Sequence, residues 1–299
     1  MSLVVSHLSK TFGEKRAVDD LSFTMEKPGV FGLIGTNGAG KTTTIRMILG
    51  IMPADSGEAK WNDTIISRET LPFGYMPEER GIYMKNKVME QLIYFGVLHG
   101  MNKTDAQNSA KQLLGRLEVS EYADMPAEKL SKGNQQKIQL IATLIHDPEL
   151  IFLDEPFSGL DPVNAKQLSE VLSELVDRKK YIVMSSHQMS TVEEYCEDIL
   201  ILDRGQTKLQ GNLRQIKSEY GHTNLIVSCK EDILPLAQNC GLQLIEKRAN
   251  ETEFHITGDE MAQSFLKVLV EKGYPLTKYE IKEPSLNEIF IDKVGNPDA

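Results

Sequence analysis

Apolar residues along this chain come in two patterns, short near-continuous runs and longer stretches with helical spacing. Residues 30–34, 150–153, 181–185 and 199–202 are runs of the length and composition that predict buried parallel strands. Residues 3–8, 21–25, 57–61 and 73–76 predict further strands, with apolar positions alternating in 21–25. Ile45, Ile48, Leu49 and Met52 recur at helical spacing past the first buried run, and Ile138, Ile141, Leu144 and Ile145 share one helix face before the second. Residues 88–98 and 105–117 read as helices, the second opened by Thr104 and Gln107 as a capping box. The segment of about 86–147 therefore predicts a helical subdomain inserted into an α/β core. Past a helix at 213–220 the character changes. Strands at 223–228, 242–247, 253–256 and 279–282, with helices at 233–239 and 261–272, make a βαββαβ series that suggests a small ferredoxin-like α+β domain. A final helix at 286–293 follows it.

The most informative residues lie where the first buried run meets its helix. Gly35-Thr36-Asn37-Gly38-Ala39-Gly40-Lys41-Thr42-Thr43 has the G-x-x-x-x-G-K-[ST] spacing of a phosphate-cradling Walker A loop, with the flanking strand and helix that the motif needs. Its glycines let backbone N–H groups face a phosphate chain, and the helix adds its positive end. Lys41 brings a full charge to the β- and γ-phosphates, and the Thr42 hydroxyl suits Mg²⁺. Residues 150–153 end at Asp154-Glu155, where a Walker B strand presents a carboxylate to Mg²⁺. His187 follows the run 181–185. Taken singly, the acids could open a helix and the histidine could sit in a loop. Ligands of open α/β sheets bind beyond the carboxyl ends of the strands, and Gly35, Asp154 and His187 all fall there. Phe12, in a polar loop at 10–13 upstream, reads either as a hydrophobic plug or as a ring placed to stack on a base.

Composition narrows the class without changing this picture. At 299 residues, 40% hydrophobic and 25% charged, the chain has room for about two globular domains. A net charge of −10 argues against a general nucleic-acid binder. Cys196, Cys229 and Cys240 are scattered and predict no disulfide framework or zinc site, which fits a reducing cytoplasm. No leader pattern is readable at the N-terminus, and no run reaches the roughly 18 apolar residues of a membrane span.

With those residues in place, Leu130-Ser131-Lys132-Gly133-Asn134 resembles the LSGGQ signature of the ATP-binding-cassette (ABC) ATPases. Ser158-Gly159-Leu160-Asp161 resembles their D-loop and His187 their switch histidine, in the family's order and spacing. The resemblance covers about residues 2–217 and implies a P-loop ABC cassette at 1–217, a mixed sheet with a helical subdomain, followed by an accessory α+β domain at 222–299. It implies an ATPase that uses ATP and Mg²⁺ and pairs head-to-tail with a second ATPase subunit, identical or paralogous, around two ATP molecules. Phe12 would stack on adenine, residues 35–43 would hold the phosphates, and Thr42, Asp154 and Glu78 would face Mg²⁺. Glu155 would polarise the attacking water and His187 would contact the γ-phosphate, while Ser131, Gly133 and Asp161 would complete the partner's site. Ser131 and Gly133 open a helix, whose N-terminal N–H groups suit an opposed phosphate.

Two positions depart from the family pattern. Glu78 stands where the Q-loop carries glutamine, so a side chain that accepts but cannot donate when ionised replaces an amide that does both. Lys132 and Asn134 replace the signature's Gly and Gln, with Lys132 expected to point to solvent. A cassette with this extension is similar to the ATPases of bacterial sodium, peptide and antibiotic exporters. That implies a separate transmembrane permease, a place on the inner face of the cell membrane, and no nucleic-acid partner. The alternative is a soluble ABC ATPase acting on ribosomes or nucleic acid. The ribosomal type carries two cassettes, whereas this chain has one Walker A motif. The chromosomal type inserts a long coiled coil, whereas only residues 42–130 separate Lys41 from Ser131, without sustained heptads. A non-hydrolysing nucleotide sensor would not need Glu155 and His187.

Overall fold

The computed structural model describes residues 1–67, 73–79 and 81–295. They divide into two compact units, Met1–Gln210 and Gly211–Ala299. The helix Leu213–Tyr220, which the sequence reading grouped with the cassette, lies in the second unit.

A six-stranded sheet organises the first unit, in the order Gln206–Asn212, Asp198–Asp203, Gly29–Ile34, Tyr181–Ser186, Leu150–Asp154, Gly74–Met76. The four pairings from Asp198–Asp203 through Gly74–Met76 are parallel. Every residue of Gly29–Ile34, Leu150–Asp154 and Tyr181–Ser186 is buried, as a parallel sheet covered on both faces requires. One face, carrying Phe31, Leu33, Phe152, Val183 and Leu200, packs with Ile45 and Ile48 of the Walker helix Lys41–Ile48. The same core takes Leu3, Val5, Leu21 and Trp61 from a four-stranded antiparallel sheet ordered Lys15–Met25, Leu3–Phe12, Ser56–Trp61, Thr64–Ile65. Stacking of Phe23 on Phe31, centroids 4.4 Å apart, joins the two sheets.

Three helices, Val88–Leu98, Lys103–Arg116 and Lys132–Leu144, build the expected helical insertion. The cap of the second differs from the sequence reading. Asn102, not Thr104, accepts the Asp105 N–H at 2.9 Å, because Asn102 is still extended while Thr104 is already in the first turn. Phe12 ends a strand rather than sitting in a loop, since Leu3–Phe12 runs on into a tight turn at Gly13. A helix at Pro162–Asp177 follows the D-loop, capped by Asp161, whose Oδ1 accepts the N–H groups of Val163 and Asn164 at 3.0 Å each. Among the described residues, no helix is long and apolar enough to cross a membrane.

The second unit has the predicted order of strands and helices. Its sheet, ordered Gln243–Lys247, Thr252–His255, Asn224–Cys229, Leu276–Lys282, is antiparallel throughout. The third strand in sequence inserts beside the first, which is the split βαβ topology of a ferredoxin-like domain. Leu225, Val227 and Phe254 of the sheet pack on Phe265 and Leu269 of the helix Asp259–Glu271.

Candidate nucleotide site

The Walker A loop turns tightly enough to demand glycine at two points. At Gly35 a Cβ would lie 2.5 Å from the Leu202 carbonyl oxygen. At Gly40 the backbone has φ +112°, and a Cβ would meet the Ala17 carbonyl oxygen at 2.5 Å. Gly40 caps the helix that starts at Lys41, so the free N–H groups of the first turn face the loop.

Lys41 is buried and folds along its own loop. Its Nζ donates to the carbonyls of Gly35 (2.8 Å) and Thr36 (3.3 Å) and lies 3.1 Å from Glu155 Oε1. The other oxygen, Glu155 Oε2, accepts from the His187 backbone N–H at 3.4 Å and pairs with His187 Nδ1 at 2.9 Å. Lys41, Glu155 and His187, from three chain segments, thus form one continuous polar line at the carboxyl end of the sheet.

Asp154 sits beside this line, fully buried. The Ser185 hydroxyl donates to its Oδ1 and accepts the Glu155 N–H at 3.0 Å. Asp154 Oδ2 has no hydrogen-bond partner. Burial raises the Asp154 pKa, with Ser185, Thr42 and Lys41 pulling it down. A buried carboxylate oxygen without a donor, near the Thr42 hydroxyl, fits a hard cation, and Mg²⁺ characteristically takes one or two carboxylates plus phosphate oxygens. No cluster of three or more His, Cys, Asp or Glu side chains gathers for a metal among the described residues, so a cation here would rely on nucleotide oxygens as well.

Glu78 is exposed and lines a cleft of about 300 Å³ together with Asp154, Glu155, Lys132 and Gly159. The remaining expected site residues make their contacts elsewhere. Ser131 caps the signature helix by accepting the Asn134 N–H at 3.3 Å, Gly133 lies in the first turn of that helix, and Asp161 caps the next helix. Phe12 is 47% exposed with Lys10 Nζ 5.7 Å from its ring centre. Ser185, Gln136 and Gln139 were not found from sequence. Gln136 Nε2 donates to the Pro156 carbonyl and Gln139 Nε2 to that of Pro77, both at 2.5 Å. A serine inside an apolar strand and glutamines inside a helix carry no distinct pattern until the fold brings them to the site.

A parallel sheet that gathers a Walker A lysine, a Walker B aspartate, a glutamate and a histidine at its carboxyl end defines a P-loop ATPase cassette. A family model described as "ABC transporter" matches residues 18–158, and one described as "ATP-binding protein DrrA1-3-like, C-terminal domain" matches residues 211–294. The ABC transporter ATP-binding protein YhaQ of Bacillus subtilis is 42% identical over 98% of both chains. The linearmycin resistance ATP-binding protein LnrL of the same organism is 29% identical over 98% of both. A solved structure of the ATP-binding subunit of an ABC transporter superposes with a TM-score of 0.68 at 28% identity, covering 74% of this chain and 93% of its own. The chain belongs to the ATP-binding proteins of ABC transporters and is an ATPase.

Proposed function

We propose that this chain powers an exporter, working as a head-to-tail dimer around two Mg²⁺·ATP and driving a separate transmembrane permease from the inner face of the cell membrane. The observation that carries the chemical part is the Lys41–Glu155–His187 line beside the buried Asp154. Lys41 and the backbone N–H groups of residues 35–43 neutralise the phosphates, and Phe12 stacks on the base. Thr42 and Asp154, with Glu78 at the rim, would hold Mg²⁺, which would supply charge neutralisation on the phosphates. Glu155 orients the attacking water, while His187 aims the carboxylate through Nδ1 and turns its other ring nitrogen to the γ-phosphate. Ser131, Gly133 and Asp161 serve the nucleotide of the partner subunit.

Export is favoured over import by the resistance named for LnrL, which matches this chain over both the cassette and its extension. A permease contact is favoured by an exposed aromatic group on the helical subdomain. The Tyr83 ring stacks on Phe95 at 5.8 Å and meets Tyr94 at 6.2 Å, and both tyrosines are about half exposed. With Met84 beside it, this surface suits the apolar face of a short cytoplasmic helix. The test has two parts. Glu155→Gln in Mg²⁺·ATP should double in mass by light scattering, and the wild-type chain should bring down a membrane protein from detergent-solubilised membranes. A variant that stays monomeric at saturating nucleotide rejects the dimer, and membranes that yield no partner reject the permease.

A further inference from the structure

The two acidic-for-amide and basic-for-glycine departures from the ABC pattern, Glu78 and Lys132, line the same cleft. One wall is the loop that follows the strand Gly74–Met76, and the other is a face of the signature helix Lys132–Leu144. Lys132, Gln135, Gln136 and Gln139 all line it, at positions i, i+3, i+4 and i+7, a single stripe along the helix. Gln139 holds the loop on either side of Glu78, because its Nε2 donates to the carbonyls of both Pro77 (2.5 Å) and Glu79 (3.3 Å). Lys132 lies two turns back on that stripe, about 10 Å along the axis. Among the described residues no ion pair joins these two exposed side chains, but the flexible four-carbon stem of a lysine and the side chain of a glutamate can close toward each other in the cleft they share.

Charge makes the pairing meaningful. The cleft carries three carboxylates, Glu78, Asp154 and Glu155. Glu155 already has Lys41, and Asp154 Oδ2 is left without a partner. Among the described residues, Lys132 is the cation on the cleft wall. Neither charge alone would be welcome: Glu78 adds a third carboxylate to a cleft that already holds Asp154 and Glu155, and a lysine at the first position of a helix opposes the positive end of its dipole. Facing each other, each offsets the other.

We propose that Glu78 and Lys132 form a complementary charge pair across this cleft, tying the signature helix to the Glu78 loop where the family pattern has an uncharged glutamine and glycine. Lys132 is a positioning residue that acts through Glu78. The pair does not depend on the dimer, the permease or a cation contact by Glu78. Its test therefore starts without nucleotide, by hydrogen exchange of residues 132–144 in the full chain. Glu78→Gln and Lys132→Gln should each speed exchange in the first turn of the helix, about 2- to 5-fold at low salt and less at high salt. The double variant should be no faster than the worse single, and the exchanged pair Glu78→Lys/Lys132→Glu should move back toward wild type. ATP turnover across the same variants should show the same non-additivity and the same partial rescue of Glu78→Lys by Lys132→Glu. Multiplicative effects, or an exchanged pair worse than Glu78→Lys alone, overturn the pairing even if Glu78→Gln alters the Mg²⁺ dependence.

Discussion

Asp154→Asn offers a sharp test of the site, because it should stabilise the protein while disabling it. Asp154 is fully buried, one of its oxygens has no hydrogen-bond partner, and burial is the largest influence raising its pKa above the ordinary 3.8. With the native pKa above the unfolded one, the native chain holds a proton between the two values that the unfolded chain has released. Stability therefore falls as pH rises through that window, and the penalty is complete above the native pKa. An unsatisfied buried polar group costs about 1–3 kcal/mol. Asparagine removes the charge but leaves an amide in the same pocket, so a recovery of about 1–2 kcal/mol is the reasonable expectation. For a unit of the size of Met1–Gln210 this corresponds to a melting temperature higher by about 2–8 °C. Calorimetry in EDTA at pH 7 should show that gain, shrinking as the pH falls toward 3.8. In Mg²⁺·ATP the order should reverse, since a ligand that binds only the native chain stabilises it, and the variant lacks the carboxylate for the cation. A variant that melts at or below wild type in EDTA at pH 7 would refute the idea that Asp154 is held strained for a cation.

Glu155→Gln should keep Mg²⁺·ATP binding and lower turnover about 10²- to 10⁴-fold, the range of a lost general base, as read by phosphate release. A rate within tenfold of wild type would remove Glu155 from that role. Lys41→Ala should instead weaken nucleotide binding itself, by about 10- to 150-fold in Kd for a charge-assisted contact worth about 1.5–3 kcal/mol, measured by titration calorimetry. Unchanged affinity would mean that Lys41 serves only its loop and Glu155. Replacing Tyr83 and Met84 together by serine should leave basal ATP hydrolysis near wild type and uncouple transport in reconstituted vesicles. Full transport by that variant would move the permease contact elsewhere.

The runs most legible in the sequence were those with no alternative. Residues 150–153 are apolar at every position, and a strand buried on both faces is the structure that uses such a run. The Walker loop was legible because Gly35 and Gly40 occupy positions that a Cβ could not. Local patterns read less well wherever two neighbouring residues offer the same chemistry. Thr104 and Asn102 are both good caps, and the choice of Asn102 rests on where the chain turns after Gly100, which has φ +86°. The helix Pro162–Asp177 carries a plain start signal in Asp161-Pro162, but its buried residues Leu168, Val171, Leu172 and Leu175 begin only in its second turn, so its first turn reads as a continuation of the D-loop. In the second unit, strand order came from the βαββαβ sequence of elements, where a split crossover is one of few ways to close four strands and two helices.

Asp154 and Glu155 are adjacent carboxylates with different surroundings, and the backbone between them explains the difference. In a continuing strand, successive side chains would point to opposite faces of the sheet. Instead the strand stops at Asp154, and Glu155 takes a left-handed conformation with φ 51°. For a residue other than glycine that conformation costs about 1–2 kcal/mol, so something must hold it. Three contacts do. The Ser185 hydroxyl accepts the Glu155 N–H, Lys41 pairs with Oε1, and His187 binds Oε2. The same hydroxyl donates to Asp154, so one serine fixes both acids, one facing inward and the other toward the histidine. Burial then separates them further. Asp154 Oδ2 and Glu155 Oε1 both make no hydrogen bond, but Glu155 Oε1 lies 3.1 Å from the Lys41 ammonium and Oε2 pairs with His187, whereas Asp154 Oδ2 faces no such cation among the described residues. The roles proposed for Asp154 as a cation ligand and Glu155 as a water-orienting base call for that division, and a single left-handed residue at the end of a buried strand supplies it.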